Sequence, residues 1–129
     1  MIAININSEA SVFDAIVRVN HLLQDTSFDV TQRQSIFISV SEIVRNVLNH
    51  GGGSGRLYCA LDHQEFRLTC IDEGPGIENL SEILDGNYIS GSGLGAGLAS
   101  VKRLMDELYI TTSSEGTRIV AVKRDRRQR

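Results

Sequence analysis

Glu42, Asn46, Asn49 and His50 lie within one stretch of helical periodicity. At about 100° per residue they share a polar stripe, with Glu42 and Asn46 about 40° apart, so the stripe can address a single ligand. An Asn amide oxygen beside a carboxylate suits a hard cation such as Mg²⁺, which takes oxygen ligands and keeps several waters and phosphate oxygens. A solvent-facing helix side carries the same residue types at such spacings, so the stripe needs support from elsewhere in the chain.

Two glycine segments supply it. Asp72-Glu73-Gly74-Pro75-Gly76-Ile77 directly follows an apolar strand-like run. Its glycines let backbone approach a flat ligand, and the Asp72 carboxylate can accept a hydrogen bond from an exocyclic amine such as that of adenine. A strand-ending Asx turn is the structural alternative. Further on, Gly91-Ser92-Gly93-Leu94-Gly95-Ala96-Gly97-Leu98 sets four glycines at alternate positions before a helix. Exposed amides at a helix start make an anion site, which predicts a lid over about residues 77–93 closing on a polyphosphate. Stripe, turn and lid together predict a pocket for Mg²⁺-chelated ATP.

Two other glycine motifs are excluded. GxxxxGK[ST] does not occur in the chain. Gly91, Gly93 and Ala96 formally satisfy GxGxxG/A, but the preceding Gly86-Asn87-Tyr88-Ile89-Ser90 is a poor strand and no βαβ crossover surrounds it.

The elements that must position these groups follow from periodicity. Ile2, Ile4 and Ile6 alternate with Ala3, Asn5 and Asn7 as a half-buried strand does. Ser8 is expected to cap a helix from about Glu9 to Gln24, and Thr31 a second one that Gly51, Gly52 and Gly53 stop. Leu57–Leu61 and Phe66–Ile71 read as a hairpin about the four-residue loop Asp62–Glu65. That places Leu57, Cys59 and Leu61 on one face with Phe66, Leu68 and Cys70, and the same parity turns Asp72 toward the helices, where an acid needs a partner. Leu94, Leu98, Val101, Leu104, Met105 and Leu108 mark a third helix, and strands near Tyr109–Ser113 and Thr117–Lys123 flank a Glu115-Gly116 turn. The expected fold is α+β, a two-layer α/β sandwich with helices on one face of a mixed, mostly antiparallel sheet.

At 129 residues the chain has room for one domain spanning residues 1–129. Its 41% hydrophobic and 22% charged residues are those of a soluble globular protein rather than a disordered or membrane chain. No apolar stretch approaches the roughly 20 residues of a membrane span, and the amino terminus lacks a basic region followed by an apolar run, so a cytoplasmic protein without membrane attachment is expected. Cys59 and Cys70 lack CxxC spacing and read as buried free thiols. Net charge is −3, yet Arg118, Lys123, Arg124, Arg126, Arg127 and Arg129 crowd the end. The tail over about residues 124–129 reads as a solvated charge run, with attraction to phosphates or an acidic protein surface the alternative; no nucleic-acid partner is expected.

Taken in order, these segments resemble the ATP-binding boxes of the GHKL superfamily, which includes gyrase, histidine kinases and small bacterial serine kinases. The resemblance spans about residues 36–120. Glu42-Ile43-Val44-Arg45-Asn46 with His50 looks like the N-box, Asp72-Glu73-Gly74-Pro75-Gly76 like the first glycine box, Gly91-Ser92-Gly93-Leu94-Gly95 like the second, and Gly116-Thr117 like the last element. The resemblance implies the Bergerat fold with ATP and Mg²⁺ as cofactors. It implies Asn46 on the metal, Glu42 as general base, Asp72 on the adenine amine, Gly76 lining the purine and Thr117 supporting the adenine end. Arg45, Asn49, Gly74 and Ile77 would join them at the nucleotide, with Gly91, Ser92, Gly93, Leu94 and Gly95 over the phosphates.

Within the superfamily, Ser-Glu-Ile-Val-Arg-Asn followed by His-Gly-Gly-Gly, and Gly-Leu-Ala-Ser-Val-Lys-Arg-Leu-Met-Asp-Glu-Leu, look most like RsbT-type stressosome kinases. Such switch kinases phosphorylate Ser or Thr on STAS-domain proteins, with a phosphatase or sigma factor as a further partner. The alternative is an anti-sigma factor kinase that holds a sigma factor and phosphorylates its STAS-domain antagonist. No helical dimerisation segment with a phosphoacceptor histidine, as a complete sensor histidine kinase would require, is expected before the domain. His21 and His63 read as surface residues and His50 as a helix-end residue of the N-box, which puts the expected acceptor on another protein.

Overall fold

Period-two and period-3.6 stretches become strands and helices in the computed structural model, which describes residues 1–85 and 94–125. In chain order they are β1 (Ile2–Ile6), α1 (Ala10–Leu22), α2 (Val30–His50), β2 (Gly55–Asp62), β3 (Glu65–Asp72), α3 (Leu80–Leu84), α4 (Leu94–Leu104), β4 (Glu107–Ser113) and β5 (Gly116–Arg124). The five strands form one sheet in the order β1-β2-β3-β5-β4. Every neighbouring pair is antiparallel. The sheet is therefore not mixed: two hairpins set the strand directions, and β3 joins β5 antiparallel between them.

Helix entry differs from expectation at both long helices. Glu9, not Ser8, is the N-cap of α1, and it makes no side-chain cap. The Ser11 hydroxyl instead accepts from the Asn7 and Ser8 amides at 3.1 and 3.3 Å, because the chain turns off β1 with Glu9 already helical. In α2 the cap is Asp29, whose extended backbone lets its carboxylate accept from the Gln32 amide at 2.8 Å while the Gln32 side chain accepts from the Asp29 amide at 3.0 Å. This reciprocal capping box leaves Thr31 inside the first turn.

The first hairpin is tighter than expected. Asp62 pairs with Glu65, so only His63 and Gln64 form the loop, with His63 at φ 56°. Leu57 faces Cys70, Cys59 faces Leu68 and Leu61 faces Phe66 across the register, as parity predicts. This face meets Val12, Ala15 and Val19 of α1, Ile36, Val40, Ile43, Val44 and Val47 of α2, and Leu98 and Val101 of α4 in one core. Both thiols are free and buried, and burial pushes each up to about 12, helped at Cys70 by the nearby Asp72 charge.

The third expected helix stops earlier than its apolar spacing implies. After Leu104 the Asp106 amide donates to the Val122 carbonyl at 2.8 Å, which draws Leu108 into β4. Lys123 closes the helix end by donating to the Leu104 carbonyl at 2.8 Å, a cation at the negative end of the dipole. Arg124, where the basic tail begins, is the last residue of β5 and pairs with Glu65 at 3.2 Å and with Glu107. Residues 126–129 lie outside the described residues. Among the described residues no helix is long and apolar enough to cross a membrane.

The capping box generates a test of the helix that carries the polar stripe. Asp29→Ala should lower unfolding stability by about 1 kcal/mol in urea titrations, whereas Thr31→Ala should change it far less.

Candidate functional site

The pocket begins as one row across the sheet. Gly55, Asp72, Thr117 and Thr112 are successive cross-strand partners on β2, β3, β5 and β4. The next row on the same face, Leu57, Cys70, Ile119 and Ile110, is wholly apolar. Strand parity thus turns a polar edge toward the helical layer only where the sheet ends.

Asp72 is 5% exposed, and its Oδ1 accepts from the Gly74 amide at 2.9 Å. Burial raises its pKa above the ordinary carboxylate value, offset in part by hydrogen bonds from the Gly74 and Thr117 amides. A buried carboxylate of this kind accepts readily from a ligand donor, because its remaining lone pairs have left water.

Close backbone approach builds the walls. A Cβ on Gly51 would lie 2.6 Å from Asp72 Oδ2, and one on Gly74 would lie 2.4 Å from the Gly51 carbonyl carbon. The end of α2 and the turn after β3 therefore touch through bare backbone. Gly76 has φ +88°, and a Cβ there would lie 2.1 Å from the Ser113 carbonyl oxygen, so the turn also rests on β4. The Ile77 amide completes that seat by donating to Thr112 Oγ1 at 2.9 Å. Thr112 Oγ1 lies 2.8 Å from Thr117 Oγ1 in turn.

Helix α2 supplies the opposite wall. Asn46 is 8% exposed, and its Oδ1 is buried with no hydrogen-bond partner among the described residues. Leaving such an oxygen unpaired costs free energy, a cost that a ligand donor or a cation at this place would offset. Mg²⁺ fits this oxygen. No group of three or more His, Cys, Asp or Glu side chains that could hold a metal by itself occurs among the described residues, so a Mg²⁺ on this oxygen would draw most of its ligands from water or phosphate, as Mg²⁺ prefers.

Glu42 lies one turn before Asn46. A Cβ on Gly97, within α4, would lie 2.5 Å from Glu42 Oε2, so the carboxylate rests against α4 where no side chain intervenes. On its other side Glu42 borders an open groove of about 420 Å³ between α1 and α2, lined also by Phe13, Ile16, Phe37 and Arg45.

The structure brings Asp72, Gly74, Gly76, Ile77 and Thr117 together and sets Glu42 and Asn46 on one helix. Arg45 is exposed and donates to the Ser41 hydroxyl on the groove side, and Asn49 is exposed. Leu94 and Gly95 fall in the first turn of α4, while Gly91, Ser92 and Gly93 lie outside the described residues. Sequence reasoning missed Thr112 and the role of Gly97. Centring the last turn on Ser114-Glu115 instead of Glu115-Gly116 would have set Thr112 opposite Thr117.

A helical layer over an antiparallel sheet, with a buried acid at a strand end beside a glycine turn, is the Bergerat arrangement of GHKL proteins. Residues 7–123 match the histidine kinase-like ATPase domain, and the chain belongs to that family. Solved structures agree on the fold. The RsbU and RsbW domains of a Mycobacterium tuberculosis protein align at TM-score 0.67 and 19% identity, covering 96% of this chain and 32% of that one. The SiaB–SiaC complex from Pseudomonas aeruginosa aligns at 0.72 and 11%, covering 95% and 88%. The histidine kinase domain of the blue-light activated kinase of Erythrobacter litoralis aligns at 0.60 and 20%, covering 88% and 63%. This chain thus spans about a third of the Mycobacterium structure. A search of curated proteins returned no match.

The raised Asp72 pKa carries a sign that can be checked. Between the unfolded and folded pKa values the native state binds more protons, so the Asp72 contribution to stability falls as pH rises through that window and stays low above it. Asp72→Asn keeps an oxygen acceptor without the charge. It should unfold at an equal or higher urea midpoint than wild type at pH 7, with the gap narrowing as pH falls toward about 4.

Proposed function

We propose that this chain binds ATP with Mg²⁺ and transfers the γ-phosphoryl group to a serine or threonine of a STAS-domain protein, as a cytoplasmic switch kinase in a bacterial stress-response pathway. The observation that carries this reading is the buried Asn46 Oδ1, without a hydrogen-bond partner among the described residues, one helical turn from Glu42. Membership of the ATPase-domain family supports the nucleotide, and a structural relative seen in a complex, SiaB with SiaC, supports a protein partner.

The adenine amine donates to Asp72, and the purine lies against Gly76. Asn46 Oδ1 would be the protein's oxygen ligand to Mg²⁺, which would supply neutralisation of charge on the phosphate oxygens. The incoming hydroxyl oxygen forms a bond to the γ-phosphorus as the bond to the β–γ bridging oxygen breaks. ADP leaves, and Glu42 accepts the hydroxyl proton. Since phosphoryl transfer asks mainly for alignment and charge stabilisation, the seat of Glu42 against Gly97 matters more than its basicity.

The test is ATP-dependent labelling of a STAS-domain protein by the purified chain. Glu42→Ala should lower labelling at least about 100-fold with ATP affinity retained. Asn46→Ala should weaken the Mg²⁺-dependent part of ATP binding about tenfold. Full transfer by Glu42→Ala removes the mechanism. Stable nucleotide-dependent capture of a sigma factor, with its STAS-domain antagonist as the labelled protein, would instead identify the anti-sigma factor kinase.

Gly97→Ala isolates the seat of the base. The added methyl overlaps the Glu42 carboxylate, so transfer should fall about tenfold or more while nucleotide affinity stays within about threefold of wild type.

A further inference from the structure

We propose that the outer face of the sheet, turned away from the helices and from the nucleotide pocket, is a second protein-docking surface whose occupant is an acidic amphipathic helix of a partner protein. The inference goes beyond the kinase reading and does not depend on it.

Strand parity defines the face. Residues that alternate with the core positions of the strands point away from α1, α2 and α4. One cross-strand row of that face runs Asn5, Arg56, Ile71, Arg118 and Thr111. Ile71 is 41% exposed and lies between the two exposed arginines. The next row carries Tyr58 on β2 and Tyr109 on β4, the latter 57% exposed. A depression of about 530 Å³ dents one end of the face, lined by Asn5, Asn7, Arg56, Tyr58, Ile71 and Glu73 among others.

Charge decides what fits there. Arg118 has no hydrogen-bond or ion-pair partner among the described residues. The Arg56 side chain is hydrogen-bonded to Tyr58, and no carboxylate among the described residues pairs with it. Farther along the face the acids are already engaged: Glu65 and Glu107 both pair with Arg124, and Glu65 also with Arg67. Glu73 stands at the rim, past the end of β3. Two cations therefore flank an apolar residue on a chain whose net charge is −3, so an acidic partner is steered to this face and away from the rest.

Counting and spacing separate the occupants. Nucleic acid binding draws on roughly six or more phosphate contacts, and two free arginines fall short of that. A second copy meeting the face isologously would set a surface with two free cations against an identical one. An acidic protein segment meets neither objection. Arg56 and Arg118 sit two strand spacings apart, about 10 Å, and two turns of α-helix advance about 11 Å. A helix laid across the strands thus offers a carboxylate to each arginine while an apolar side chain from the turn between them covers Ile71. An extended segment spaces its same-side residues by about 7 or 14 Å and matches less well. Tyr and Arg are also the side chains that dominate affinity at protein interfaces.

The experiment titrates the full chain with three labelled, alanine-based helical peptides, read by fluorescence anisotropy and by amide chemical shifts. The acidic probe carries two Glu residues two helical turns apart with Leu in the turn between, the basic probe carries Lys in place of Glu, and the broken probe is the acidic one with a central Pro. The acidic probe should bind saturably, shift amides of β2, β3 and β5, and weaken with added salt. Arg56→Glu and Arg118→Glu should each weaken it about tenfold, with unchanged melting curves and ATP affinity. The double variant should prefer the basic probe, a reversal that a merely structural effect would not produce. Equal binding of acidic and basic probes, an intact broken probe, shifts confined to the helical layer, or no saturable binding overturns the inference. So does an Arg118-dependent dimer in sedimentation, which assigns the face to a second copy, or a single-stranded oligonucleotide that binds there more tightly than the acidic probe. A chain that binds the acidic probe but no nucleotide keeps this inference and loses the kinase reading, and the converse result removes this inference alone.

Discussion

The arrangement turns on one carboxylate held out of water at the end of an apolar sheet face. Asp72 continues the parity of Phe66, Leu68 and Cys70, so the strand that builds the core also carries an acid into the helical layer. Burial there is unfavourable, and the Gly74 and Thr117 amides offset part of it. The remaining acceptor capacity gives the pocket its appetite for a donor. Gly51 and Gly74 are bound to this demand, since a side chain at either position would occupy space already held by Asp72 or by the end of α2.

The residues proposed for chemistry and those proposed for recognition lie on two elements, α2 and the sheet, that meet at these glycines. The sheet supplies the Asp72, Thr117 and Thr112 row, fixed by cross-strand pairing. Helix α2 supplies Glu42 and Asn46, held at one end by the Asp29–Gln32 capping box and at the other by the Gly51 and Gly53 amides, which both donate to the Val47 carbonyl. Catalytic groups on regular elements keep their geometry better than groups on loops, and phosphoryl transfer rewards such precision. Close packing of α4 at Gly97 adds a third constraint, because it determines where the Glu42 carboxylate rests.

How much of this was legible varied with the range of the interaction. The Asp72 orientation could be read from strand parity, because a period of two admits only two faces and the hydrophobic residues label one of them. The α2 stripe was legible for the same kind of reason. Caps were less so: Ser8 and Thr31 have suitable hydroxyls, but the residue whose backbone leaves the helix decides the cap, and that was set by how the chain exits β1 and enters α2. The short α3 escaped because five residues carry too little periodicity to distinguish a helix from a turn.

By itself the sequence determined the α+β class, the order of the strands and longer helices, the inward face of β2 and β3, and the acid, amide and glycines from which the site is made. These are properties of nearest neighbours and of fixed helical and strand periods. Only the tertiary structure decided that the sheet is wholly antiparallel, that Asn46 Oδ1 is buried without a partner among the described residues, that Gly97 seats Glu42, and that Thr112 joins Ile77 to Thr117. Each of those depends on surfaces far apart in the chain meeting within a few ångströms, and the energetics of such contacts come from packing density and shared hydrogen bonds that no local pattern encodes.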